Sequence, residues 1–371
     1  MQKFVLIGNY GAGNWGDDLL CLSTIKGIQD HFIGADIKVL AANPELAKKN
    51  CGVDNVEFLY LFPAGVRSFF NYTFSGKLKV TTAAVKAADI VIFGGGGLLN
   101  AEVPRSMSIW GKQIIMAAKL GRRIAMLGQS FPKENLEEHK AAFLRLMNKV
   151  EFVTVRDPIS YDVITKLKSK TIVKRAADLV TALDLNLVNK DVAEELVINF
   201  RFYDGIDDEV LLKRAVSIVK FIMEHTEFNL KFVCMDEEDC VFAELLEELL
   251  TVSERYKMVK PKSIIDLEQI FAKSKGIISM RLHALILGYI ANKPIFGLSY
   301  NDKIVGWHKY TEVDHEFWDL RTEINLPEAD FVSRMQSFLG KAAAGVNNED
   351  KIKKLRENSQ LNFDYLKGWL N

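Results

Sequence analysis

Along this chain, short apolar runs alternate with longer stretches in which apolar residues recur every three or four positions. Runs of strand length lie at residues 4–7, 37–41, 56–61, 90–93, 124–127 and 152–155. Between them, residues 19–32, 106–120, 136–149 and 159–167 carry the helical repeat. Continuous apolar runs mark strands buried on both faces, and strands joined by helical crossovers pair in parallel. The pattern therefore predicts an α/β fold. It breaks over residues 181–193, a stretch of Asp and Asn without periodicity, and then restarts. Strands are predicted at 196–200, 230–234, 276–279 and 294–298, and helices at 207–224, 237–250, 264–272 and 282–291. A boundary in the break gives a first domain over residues 1–185 and a second of similar design over 186–345. The last segment, 346–371, reads as a helix that packs back across the first domain.

Length supports two domains, since 371 residues exceed the roughly 250–300 at which one core stops growing. The 48 basic and 48 acidic residues cancel, which removes the electropositive field expected of a nucleic-acid binder. The apolar start of the chain ends at Gly8, too short for a secretory signal, and no run approaches the roughly 18 residues of a membrane span. A cytoplasmic location is expected. Cys21, Cys51, Cys234 and Cys240 form no CxxC pair, so reduced thiols and no metal site are predicted.

Candidate chemistry sits where predicted strands end. Gly11, Gly13 and Gly16 have the spacing of a dinucleotide fingerprint. However, Asp17 and Asp18 follow at once, placing two carboxylates where a pyrophosphate would meet the helix. NAD or FAD is therefore not expected. Asp17 and Asp18 either bind or activate an acceptor, or complement the helix dipole. A second loop, with Gly95 and Gly96 at its centre, lets backbone approach a ligand closely or packs tightly against a helix. Asn100 and Arg105 follow it, the latter a candidate for an anion or a sugar hydroxyl.

In the second half, Ser279-Met280-Arg281-Leu282-His283 closes a strand and opens an apolar helix. An arginine fork at a helix start suits a phosphate or carboxylate, and histidine exchanges protons near neutral pH. The alternative is a hydrogen-bonded structural histidine beside a surface arginine. Tyr300 and Lys303 repeat the arrangement one strand later. Arg156, also at a strand end, either reaches the site or pairs with Asp178.

In order, NYGAGNWGDD, FGGGGLLN, GQSF, VRDPIS, AADLV, SMRLHALI and GLSYNDK resemble the polysaccharide pyruvyl transferase family, over about residues 4–305. The resemblance implies two Rossmann-like domains facing a cleft, similar to the GT-B glycosyltransferase architecture. It also implies transfer of pyruvate from phosphoenolpyruvate onto two hydroxyls of a glycan or lipid-linked sugar, forming a ketal and releasing phosphate without a cofactor. Arg281 would then hold the donor's anionic groups, His283 would move the proton, and Lys303 would be a further cation. Gly11, Gly13, Asp17, Asp18, Gly95, Gly96 and Asn100 would face the acceptor. Asp18 stands where many members have glutamate, and Asn100 where others have glutamine or aspartate; both departures bear on the acceptor. A nucleotide-sugar glycosyltransferase shares the architecture and is the alternative; a non-catalytic glycan-binding protein is the third.

Residues 62–79 combine Phe62, Phe69, Phe70, Tyr72 and Phe74 with Arg67, Lys77 and Lys79. Such a mixture forms either the core of a crossover or a lobe at a membrane interface.

Overall fold

The computed structural model describes residues 1–100, 104–187, 192–250, 254–311, 316–324 and 328–371. The chain divides into two units, Met1–Leu183 with Leu355–Asn371, and Asp184–Lys354.

Among the described residues the first unit is built on seven strands: β1 (Lys3–Ile7), β2 (Asp36–Ala41), β3 (Glu57–Tyr60), β4 (Ile90–Phe93), β5 (Arg123–Gln129), β6 (Phe152–Val155) and β7 (Ile172–Arg175). All pairs are parallel, in the order β3-β2-β1-β4-β5-β6-β7. β4 and β6 are wholly buried, as their unbroken apolar sequences require. β7 escaped the sequence reading because, as an edge strand, it reads IVKR and has no buried residue. Helix starts follow side-chain chemistry: Asn14, Asn43 and Asp157 cap the helices Trp15–His31, Pro44–Cys51 and Pro158–Lys166, the last two with proline in the first turn.

The second unit holds β8 (Glu195–Asn199), β9 (Asn229–Val233), β10 (Tyr256–Val259), β11 (Gly276–Ser279), β12 (Ile295–Ser299) and β13 (Glu316–Asp319). These are also all parallel, in the order β10-β9-β8-β11-β12-β13. The two strands missed from sequence, β10 and β13, are again the edges. Phe200, Phe232, Phe242 and Phe296 lie in the core of this unit.

The end of the carboxyl-terminal helix, Glu349–Leu370, belongs to the first unit. Buried Asn362 donates to the Ala177 carbonyl (2.9 Å) and accepts from Thr154 Oγ1, Ser359 donates to the Asp178 carbonyl (2.8 Å), and the Trp369 ring stacks on Phe152 at 5.3 Å. The four cysteines are buried free thiols, and no described helix is long and apolar enough to cross a membrane.

Two helices, Val66–Phe74 and Lys77–Ala87, join β3 to β4. Phe62 is buried, with Gln113 bonded to both its backbone groups, and Tyr72 packs against Tyr60. The core reading fails for the other rings, because Phe69, Phe70 and Phe74 are 49%, 55% and 86% exposed.

Candidate active site

In an open parallel sheet, loops diverge where the strand order reverses, and ligands bind at the carboxyl ends there. The first unit reverses between β1 and β4, and the second between β8 and β11. Each reversal carries candidate residues.

In the first unit, the loop after β1 and the loop after β4 converge on Asp17. Asn9 Nδ2 donates to Asp17 Oδ2 (2.9 Å), and a Cβ placed on Gly96 would lie 3.9 Å from Asp17 Oδ1. Asp17 is half-buried in the first turn of its helix. Gly96 is buried, with φ +110°, a conformation that favours glycine; its N–H lies on the Gly128 carbonyl (3.3 Å) and its carbonyl accepts the Ser130 N–H (2.9 Å). Gly13, at φ +88°, is exposed with open space beside it.

Asp18 corrects the sequence reading. It is fully buried, its Oδ1 accepts the Gly11 N–H (2.7 Å) and its Oδ2 accepts from Asn50 Nδ2 (2.7 Å). Burial pushes its carboxyl up to about 6, against the pull of those hydrogen bonds. Asp18 therefore shapes the loop rather than meeting a ligand. Gly11 is equally committed to the scaffold, since a Cβ there would lie 2.1 Å from the Asn43 carbonyl. Gly95 packs against Leu20, which a Cβ would approach to 2.5 Å, so tight packing explains this glycine. Asn100 is buried, its N–H directed to Ser106 Oγ, and Arg105 is exposed at the start of the helix Pro104–Lys119. Of the two alternatives for Arg156, the structure forms the pair: a buried ion pair with Asp178, with a further bond donated to Ser130 Oγ (2.7 Å).

In the second unit, Arg281 stands in extended conformation before the helix Leu282–Ile290 and gives it no side-chain cap. The first N–H groups of this helix are thus not capped by their neighbour, in contrast to the helices that Asp207, Asp236 and Ser263 cap. The Arg281 side chain is buried and anchored. Nε lies 3.1 and 3.2 Å from the two Asp239 oxygens, Nη2 lies 2.6 Å from Asp239 Oδ1, and Nη2 also meets Asp236. Asp239 is fixed in turn by Asn199 Nδ2 (2.8 Å) and the Met235 N–H (3.0 Å). Burial works against charge on Arg281, but Asp239, the Tyr300 hydroxyl and Asp236 outweigh it and raise the pKa. Among the described residues no hydrogen-bond partner meets Nη1.

The alternative of a surface arginine fails, since Arg281 is buried and two carboxylates hold most of its donors. His283 is half-buried in the first turn of the same helix. Tyr300 follows β12 and packs on Tyr203 (4.7 Å between centroids) and on the Arg201 guanidinium (5.7 Å). Lys303 lies half-buried in the first turn of the helix Asp302–Thr311, its N–H on Asn301 Oδ1 (3.1 Å).

Sequence reasoning missed Asn199, Arg201, Asp236 and Asp239. Arg201 follows the end of β8, as Arg281 follows β11, and that repeated position was the available signal. Asp236 and Asp239 were visible only as part of an acidic, cysteine-flanked run, and nothing local ties them to Arg281, which is 42 residues from Asp239.

Residues 14–302 match the family described as polysaccharide pyruvyl transferase. No curated protein matches the chain significantly. Among solved structures, UDP-GlcNAc 2-epimerase from Methanocaldococcus jannaschii is similar at TM-score 0.67 and 10% identity, covering 99% of each chain. The Neisseria meningitidis UDP-GlcNAc 2-epimerase bound to UDP-GlcNAc gives 0.66 at 10% identity, covering 99% of this chain and 100% of that one. Sucrose-phosphate synthase from Thermosynechococcus elongatus gives 0.63 at 11%, covering 100% and 99%. At such identities the likeness shows the fold, GT-B, and no more.

Proposed function

Because the chain belongs to the polysaccharide pyruvyl transferase family, we propose that it moves pyruvate from phosphoenolpyruvate onto two hydroxyls of a sugar in a polysaccharide or its lipid-linked precursor. The observation that carries this reading is the Arg281–His283 pair at the head of an apolar helix, with the arginine fork clamped by Asp239 and Asp236.

Phosphoenolpyruvate brings a phosphate and a carboxylate, and it needs more than one cation. Arg281 supplies the open edge of its fork beside helix N–H groups, and Arg201 and Lys303, which follow β8 and β12, are the proposed further cations. His283, as imidazolium, protonates the donor methylene, leaving positive charge at C2. A sugar hydroxyl adds there and gives up its proton. The C2–O bond to phosphate then breaks, and the second hydroxyl adds with loss of its proton. The net products are a pyruvyl ketal and inorganic phosphate. Asp17, the carboxylate beside Gly96, is the proposed base on the acceptor side. Asp18 and Gly11 keep that loop in shape. The donor carries the reactive group itself, so the scheme uses no resident cofactor.

The test is to incubate the protein with phosphoenolpyruvate and candidate glycans, measuring phosphate and the mass of the glycan. Phosphate release coupled to the mass gain of a ketal is expected. Release of nucleoside diphosphate from a nucleotide sugar, with no use of phosphoenolpyruvate, would overturn the proposal in favour of glycosyl transfer.

A further inference from the structure

The helix Val66–Phe74 is amphipathic but turned the wrong way round for a protein core. None of its residues is buried. Val66, Phe70 and Phe74 follow one another at four-residue spacing and Phe69 lies beside them, so the four share one face. That face is the solvent side, where Val66 is 76% exposed and Phe74 86%. The opposite side carries Tyr72 against Tyr60 and Ser68 bonded to the Gly65 backbone. Val80, on the next helix, adds a fifth exposed apolar residue. Scattered surface apolar residues are ordinary, but a cluster with three phenylalanines marks an interaction surface.

Charge identifies what covers it. From residue 58 to residue 88 the chain contains no Asp or Glu, while Arg67, Lys77, Lys79 and Lys86 all fall within it. The protein as a whole is neutral, so this is a local departure. The flanking acids are engaged elsewhere: Glu57 pairs with Lys38 at 2.5 Å, and Asp89 accepts the Lys3 N–H at 2.8 Å. Lys112, from the helix Pro104–Lys119, adds another cation by donating to the Ala64 carbonyl. Two copies meeting through this face would bring like charges together.

We infer that this lobe docks on an anionic lipid bilayer, with the phenylalanines at headgroup depth and the cations on lipid phosphates. The lobe leaves the sheet at the carboxyl end of β3, the edge that also carries the loops after β1 and β4. Docking therefore holds that loop-bearing edge near the membrane. If the proposed acceptor role of those loops is right, it concentrates the enzyme where lipid-linked sugars reside.

The experiment is co-sedimentation of the full chain with vesicles of equal phosphatidylglycerol and phosphatidylcholine, and with phosphatidylcholine alone. The expected result is at least about tenfold stronger binding to the anionic vesicles, weakening as salt screens the cations. Combined Phe69→Ser, Phe70→Ser and Phe74→Ser should abolish binding while Tm changes by no more than about 2 °C, because exposed rings contribute little to the core. A second variant, Arg67→Glu with Lys79→Glu, should lose binding without touching any ring. Turnover of a water-soluble acceptor should be unchanged in both, which separates this inference from the transfer reaction. Failure of the wild type to sediment at low salt, binding that survives both variants, or a dimer that dissociates in the serine variant would overturn it.

Discussion

The Arg281 guanidinium lies along the Asp239 carboxylate, with Nε 3.1 and 3.2 Å from its two oxygens and Nη2 2.6 Å from Oδ1. Two elements far apart in sequence thus fix one cation at the end of β11. Because lysine cannot reproduce the planar fork, Arg281→Lys should lower kcat/KM for phosphoenolpyruvate at least about tenfold, or about 1.4 kcal/mol. Steady-state kinetics check this, and a variant within about twofold of the wild type would remove Arg281 from the donor site.

Asp239→Asn tests the clamp rather than the fork. A buried ion pair that loses one partner costs about 3–5 kcal/mol, since the remaining charge stays desolvated. Here Asp236 still meets Arg281, so the lower end of that range is expected in urea unfolding. An unchanged midpoint would show that Asp239 does not hold the arginine.

His283→Gln should leave the fold intact, because His283 is half-buried at a helix start between the buried apolar residues Leu282 and Ala284, which the substitution leaves in place. Turnover should fall about a hundred- to ten-thousand-fold, the usual contribution of a general acid. Glutamine keeps hydrogen bonding and loses proton transfer, so near-normal kcat would demote His283 to a positioning residue.

Asp18 predicts a pH dependence of stability. Its carboxyl is raised from the ordinary 3.8 to about 6, chiefly by burial. Between those values the folded protein holds a proton that the unfolded chain has lost, so the stability contributed by this group falls as pH rises from about 4 to 6. The total is about 3 kcal/mol, at about 1.4 kcal/mol per unit. Asp18→Asn cannot titrate. Its stability relative to the wild type should therefore improve between pH 4 and pH 7, and a flat difference in urea midpoints would refute the assignment.

Asn362→Ala should destabilise the first unit by about 1–3 kcal/mol, the cost of leaving buried polar groups unpaired. The affected groups are the Ala177 carbonyl and the Thr154 hydroxyl, both of which meet Asn362. Thermal unfolding measures it, and a shift no larger than that of a surface substitution would mean that the terminal helix does not hold the sheet.

Much of this protein was legible without coordinates. Apolar runs located every strand but β7, β10 and β13, which are three of the four sheet edges, because burial on both faces demands continuous apolar sequence. Polar residues interrupt the apolar run in these three, whereas the fourth edge, β3, keeps Phe58, Leu59 and Tyr60 in succession and was legible. The placement of Arg281 before a helix was also local information, since an apolar run opening after a strand defines its own start.

Contacts between distant residues required the tertiary structure. Asp18 and Asp17 are adjacent and chemically identical, yet one turns fully inward to the Gly11 N–H and Asn50 while the other stays half-buried beside Asn9 and Gly96. Helical rotation of about 100° per residue separates them, and only packing decides which faces the interior. The same holds for Arg281, whose partners come from another strand's loop, and for Phe69, Phe70 and Phe74. Composition marked those rings as core or interface alike; the packing of Tyr72 against Tyr60 turned the helix so that they face outward.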